Sequence, residues 1–470
     1  RGLLFGPGAR YESDNGTTAR TGSTDLAYIN DRGDSDDRGE DVLGRPIDRD
    51  RYFWNWTHTE RHGNLWTLNG ELNWWSDSEV MRDFRDDAFR RRQDPDTFLE
   101  ASLNGSGYIL SAFTRVRPND YQVLPERLPE VRFDLLPLAL GQTGVLLEAK
   151  AGAAILREEP PGSPGEERRS DRLDIYTGLS RTFRIGRGIT LTPVAGGRLT
   201  HYARTLDDRG DYTRWLGELG FDARLRASRV RELKKPLWGI DGIRHIIEPR
   251  LEYRYIPEAQ KGAEFIPPID RRAFLTQLQP LGLADRRDID QLEQTHALRL
   301  NLLNLLETRR EDYGSRELMR FTLGGDVFFS GTGGDRDYSD LHAELQLSPA
   351  DWIDGWLFLR FDPDNGRFEE LNTRIRLIDG EAWEVAFGTD FLRRDIEQYQ
   401  LYTRYEINEA YDLEGGIRYD AREGRFNEVL VGVQAQLTQL WQVRCRAVFR
   451  DGPRRESSLG LRLSVRFLAF

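Results

Sequence analysis

The fold class this 470-residue sequence predicts is all-β, a single large antiparallel barrel spanning a membrane. Three observations carry the expectation. Apolar and polar residues alternate with period two over most of the chain, the mark of strands with one apolar and one polar face. The runs match the roughly 9–11 residues a tilted strand needs to cross hydrocarbon, whereas strands of soluble sandwiches average about five or six. Their connections alternate between short turns and longer loops, as in outer-membrane barrels.

Composition removes the competing classes. Charged residues make up 31% of the chain and mean hydropathy is −0.63, with no run of 18 uncharged apolar residues, so a helical membrane span is excluded. A barrel accommodates so polar a chain because one parity faces lipid and the other a wet lumen. With 11 Trp and 17 Tyr the chain is too aromatic to be disordered. Its net charge of −11 argues against nucleic acid as a partner. Cys445 is the single cysteine, which leaves no intrachain disulfide and no CxxC metal site.

Along the chain, Asp31 to Asp50 and Ser76 to Asp96 read as long loops, the second with Val80, Met81, Phe84 and Phe89 at helical spacing. Short turns are expected at Ser106–Gly107, Leu140 to Gly144 and Arg184 to Gly188. Strands are expected at Val145 to Ile155, Leu191 to Ala203, Trp215 to Ala227 and Ile247 to Tyr255. Glu158 to Ser170 and Pro257 to Glu293 fall on the long side. Asp31 to Asp41 and Glu158 to Arg169 read as solvated loops, and Arg229 to Asp241 is anomalous, long for a turn. Phe321 to Phe329 and Leu371 to Leu377 are further strands, followed by Trp383 to Phe391, Tyr399 to Ile407, Tyr411 to Tyr419 and Val429 to Leu437. Trp441 to Phe449 and Leu459 to Phe467 close the series. Roughly 23 alternating segments result, within an expected range of about 22 to 26 strands. Closed single-chain barrels of this class have even numbers, so either one strand is miscounted or the first strands lie outside residues 1–470.

Enzyme signatures fail. Gly6-Pro7-Gly8 lacks the rest of a dinucleotide loop, and Asp34, Asp36 and Arg38 open like a calcium loop but carry Arg where an oxygen ligand belongs. The six histidines, His58, His62, His201, His245, His296 and His342, are scattered without close Ser or Asp partners, so an outer-membrane hydrolase is a distant alternative. Arg404, Arg418, Arg444, Arg446, Arg462 and Arg466 share the polar parity with Glu406, Glu414 and Glu428. They are expected to form a luminal polar face held by cross-strand ion pairs, one also suited to phosphate.

Three segments carry a family resemblance. Ser76-Asp77-Ser78-Glu79-Val80-Met81-Arg82-Asp83-Phe84, Tyr121-Gln122-Val123-Leu124-Pro125-Glu126, and His245-Ile246-Ile247-Glu248-Pro249 with Tyr253, Tyr255 and Pro257 resemble stretches of the LptD family, the lipopolysaccharide-assembly or organic-solvent-tolerance proteins. Val80 departs from that family's aromatic, and the terminal Phe470 is a less specific match. The resemblance implies that residues 1–470 are the barrel domain, without the family's N-terminal periplasmic jellyroll or its domain-tying cysteines. It implies a bacterial outer-membrane translocon, not an enzyme and without cofactor or metal, that passes lipopolysaccharide through a hydrated lumen and releases it sideways. The implied partners are lipopolysaccharide, an LptE-like lipoprotein plug, an LptA-like periplasmic bridge and outer-membrane lipid. The implied lateral seam lies between the first and last strands, at Pro7, Leu459, Leu461, Leu463, Val465, Phe467 and Phe470. The competing function is an uptake porin or receptor barrel.

Overall fold

The computed structural model describes residues 2–93, 95–160, 167–206, 210–259, 263–272, 274–310, 313–329, 332, 334, 336–451 and 458–467. Among the described residues, twenty-five strands, from Gly8–Asp14 to Ser458–Phe467, form one sheet in which every pairing is antiparallel and, with two exceptions, each strand pairs with the next along the chain. Two of these strands continue their predecessors. Arg168–Arg181 and Phe183–Ile185 both pair with Ile189–Tyr202, and Tyr212–Leu225 and Ala227–Lys235 both pair with Ile240–Ile256. Counting each continuation with its predecessor leaves twenty-three staves in the wall, an odd number.

The second interruption has a chemical cause. Register aligns Arg224 with Arg250 and Ala227 with Ile247, which puts Pro249 opposite Leu225. Proline has no N–H to give the ladder, so the ladder breaks there and resumes two residues on, at Ala227. Arg229 to Asp241 is therefore not the long turn the sequence predicts: Ala227–Lys235 is strand, a single 3-10 turn at Pro236–Trp238 follows, and the return strand starts at Ile240. The alternation criterion misses it because all nine residues of Ala227–Lys235 are exposed, with no buried face to impose a pattern.

The two faces of the wall differ as expected for a barrel in lipid. On Arg168–Arg181, Leu173, Ile175 and Leu179 are exposed, while Arg172, Asp174 and Tyr176 are buried. Leu199, Trp215 and Leu219 continue the exposed apolar face, and Arg198, Thr200, Arg214 and Glu218 the buried polar one. Among the described residues, no helix is long and apolar enough to cross a membrane. The helical spacing around Val80 resolves into two short helices, Val80–Phe84 and Asp86–Arg91.

Two loops expected to be solvated are largely so among their described residues, but each begins on a buried carboxylate. Asp31 is fully buried and Glu158 nearly so, each against an arginine described below; residues 161–166 lie outside the described residues. Among the described residues, Gly8–Asp14 pairs only with Thr18–Asn30, and Ser458–Phe467 only with Trp441–Arg450, so the sheet has two free edges and no ladder joins them.

Candidate functional site

Residues 257–294, the longest connection, fold back against the inward face of the wall. A buried backbone needs partners for its polar groups, and inward side chains supply them. Arg198 Nη1 donates to Leu283 O at 2.8 Å, Lys150 Nζ to Ala284 O at 2.8 Å, and Arg299 Nη2 to Gln279 O at 2.6 Å. Leu283 N donates to Glu218 Oε2 at 2.9 Å. Apolar anchors Ile266, Ile269, Leu283 and Leu292 are buried with Tyr176, Leu156 and Tyr202.

Two loop carboxylates complete the attachment. Arg172, itself buried, reaches Asp270 at 2.6 Å and Asp290 at 2.8 Å; Arg127 also reaches Asp270, at 2.5 Å. Tyr202 Oη donates to Asp290 at 3.1 Å. Burial raises the Asp290 pKa above the usual aspartate value, and the Arg172 charge opposes that rise. Arg271 closes on Glu158 at 2.6 Å. A polar cavity of about 200 Å³ remains between loop and wall, edged by Arg132, Lys150, Asp174 and Arg286.

The loop following Trp66–Trp75 is organised by another buried cation. Arg51, fully buried, grips Asp77 with Nε at 3.0 Å and Nη2 at 2.8 Å, while Nη1 donates to Asp31 at 3.2 Å and Asp83 at 2.6 Å. Its guanidinium also lies over the Phe84 ring, 5.0 Å from the centroid. Val80, Met81 and Tyr121 pack on Phe53 and Trp75. The first two resembling segments thus meet in one core. Beside it, Arg45 pairs with Asp120 at 2.7 Å and holds that carboxyl below the usual aspartate range, while burial pushes the Tyr121 phenol up.

Cross-strand register carries the inward face around to the C-terminal half. Glu384, Arg404, Glu414, Gly432, Arg446 and Arg462 form one continuous row of partners. Arg444 and Arg446 share Glu414, at 3.1 and 2.7 Å, and Arg404 reaches Asp412 at 3.3 Å. Arg418 stands in register with Gln400 and Glu428, and Arg466 with Gln442. Arg462 faces Arg446 across the last ladder. Here no loop fills the interior to the same degree: a cavity of about 480 Å³ is lined by Trp356, Arg374, Gln400, Tyr402, Arg418 and Glu428.

At the edges, Leu459, Leu461, Leu463, Val465 and Phe467 are all exposed on the outward parity. Pro7 precedes the first strand and its carbonyl accepts the Leu26 N–H at 3.1 Å. Gly6 lies so close to the next strand that an added Cβ would meet Leu26 O at 1.8 Å. Phe470 lies outside the described residues. His58, His62, His201 and His245 bond to Tyr11, Thr18, Thr213 and Asn304 in turn.

Sequence reasoning found the polar parity but missed Arg51, Arg172, Asp270 and Asp290. Alternation marks Arg172 and Asp174 as inward; nothing local marks a partner about a hundred residues away.

Comparison with known proteins agrees with the geometry. The family described as LPS transport system D, LptD, matches residues 49–400. An LPS-assembly protein LptD of Nitrosococcus oceani is 27% identical over 93% of this chain, and one of Pseudomonas savastanoi pv. phaseolicola 26% over 70%. The chain spans 59% and 37% of those relatives' lengths. Among solved structures, the ferric-catecholate import receptor Fiu of E. coli aligns over 99% of this chain and 78% of its own, at 7% identity and TM-score 0.32. The copper transporter OprC does so at 10% identity and TM-score 0.35, with the same coverage. With three quarters of its length matched by the family and an all-antiparallel wall whose outward face is apolar, the chain belongs to the LptD family and is an outer-membrane β-barrel.

Proposed function

We propose that this barrel inserts lipopolysaccharide into the outer leaflet, taking the sugar portion through the polar lumen and releasing the acyl chains through the seam between the first and last strands. The observation that carries the reading is the pair of free edges, Gly8–Asp14 and Ser458–Phe467, bounding a wall that is polar inside and apolar outside. An amphiphile needs both solvents at once. Acyl chains confined to a wet pore would forgo about 0.8 kcal/mol per buried methylene, so an exit to lipid is required, and unladdered edges separate without breaking backbone hydrogen bonds. In this reading the six arginines meet phosphate groups. An LptE-like plug sits in the lumen, because a barrel this wide cannot fill itself with side chains, and an LptA-like bridge delivers the lipid from the periplasm.

Cysteines at Arg10 and Leu461, in a background lacking Cys445, test this. Complete oxidation is expected to stop the appearance of lipopolysaccharide on the cell surface, with reduction restoring it. Normal surface delivery with the crosslink fully formed would falsify lateral release at this seam.

A further inference from the structure

The wall has a third unpaired edge, remote from the seam. Ala227–Lys235 pairs with Ile240–Ile247 on one side. The strand on its other side begins at Ile189, opposite Leu225, and among the described residues nothing pairs beyond that point. The last rung on this side is the Arg226 N–H donating to Gly188 O at 2.9 Å. Backbone groups alternate sides along a strand, so the N–H and C=O of Ser228 and Val230 face the open side.

The other flank is fixed. Trp238 at the hairpin tip packs on Trp352, centroids 5.0 Å apart. Arg316 donates to Trp238 O at 2.9 Å and to Ser348 O at 2.8 Å, and Asp241 N donates to Thr308 Oγ1 at 2.9 Å. One side of the strand is thus braced while the other presents free backbone groups in strand geometry.

Its charge differs from the rest of the molecule. The luminal arginines Arg172, Arg198 and Arg299 sit on carboxylates. Among the described residues, Arg229, Arg231 and Lys235 have no ion-pair partner, nor do Arg184 and Arg187 beside the adjoining turn; Lys234 approaches Asp241 at 3.7 Å. Unpaired cations on an edge repel a second copy of the same edge and complement an acidic strand. Nine residues rising about 3.3 Å each extend roughly 30 Å along the strand past Leu225, beyond the start of the neighbouring strand at Ile189.

We propose that Ala227–Lys235 is a docking edge on the turn side of the barrel, on which an extended acidic segment of another protein adds as a further strand. Backbone pairing at Ser228 and Val230 supplies attachment, and Arg229, Arg231 and Lys235 select for acidic side chains.

The test uses the detergent-solubilised barrel and a fluorescent nine-residue peptide of alternating Glu and Val, followed by anisotropy. The peptide is expected to bind, and its Lys-for-Glu counterpart not to. Val230→Pro, which removes one edge N–H and leaves the ladder to Ile240–Ile256 intact, should weaken binding at least tenfold. Arg229→Glu with Arg231→Glu should do the same and admit the Lys peptide. Heat-modifiable migration checks folding of each variant. A second measurement avoids the proline: with Cys445→Ser and Ser228→Cys, peptides carrying cysteine at successive positions should crosslink in one register. No binding, or self-association through this edge, overturns the proposal. So does binding lost on charge reversal but untouched by Val230→Pro, or crosslinking equal at all positions; either marks a non-specific cationic surface of the kind anionic lipid would meet.

Discussion

Arg51 sits in a site with no access to water, and three carboxylates depend on it. Removing one partner of a buried ionic cluster strands the others, at about 3–5 kcal/mol. Arg51→Met should accordingly lower the urea midpoint of the barrel's heat-modifiable form, and Arg51→Lys should recover part of the loss, since an ammonium cannot grip Asp77 with two parallel bonds. Asp77 and Asp83 were visible as motif positions, but the motif does not name the cation they serve, because Arg51 comes 26 residues before Asp77 on another strand. Arg45 and Asp120 form an exposed counterpart. The lowered Asp120 pKa means the pair stabilises the loop above the ordinary aspartate range and loses that contribution as pH falls through the lowered value. In a carboxyl NMR titration Asp120 should titrate below its ordinary value, and Arg45→Met should raise it toward the ordinary aspartate range.

Among the elements, strands were the most legible because lipid on one side and water on the other force alternation onto every residue between them. The last strand offers the direct check. Val465→Arg should cost ~2–4 kcal/mol if it lies near the bilayer midplane, and Ser464→Arg, on the opposite parity, much less; equal losses in unfolding titrations would reverse the orientation of the wall. Where one of the two solvents is missing, the pattern fades. Ala227–Lys235 is exposed on both faces and lies over no core, so no burial imposes alternation on it, and only Pro249 in the facing strand marks where the ladder breaks. Residues 257–294 were legible as a long connection, but their packing against the inner wall was not, for the converse reason: an irregular segment anchored by single side chains such as Ile269 and Leu283 has no period to detect.

Considered as a whole molecule, the interior is unequal. The half bounded by Glu126–Ala139 through Thr295–Arg309 is filled by the described residues of 257–294, and the C-terminal half keeps an open cavity. Replacing residues 259–292 by a short Gly-Ser linker should leave the strands in place, because arginines such as Arg198 keep their wall carboxylates and regain water. Single-channel conductance in planar bilayers should rise; an unchanged conductance would mean the loop does not obstruct the lumen. The same arrangement also imposes an order in time. All strand pairing is between chain neighbours, so the wall can grow by adding one hairpin after another, but the filling segment must already lie inside when the growing sheet curls over it. The partners of its described hydrogen bonds are all present once Thr295–Arg309 is in place, ten strands before the end. The middle of the chain can therefore mature around its own contents while the C-terminal staves are still being added, and the last strand arrives at a vessel already stoppered on one side.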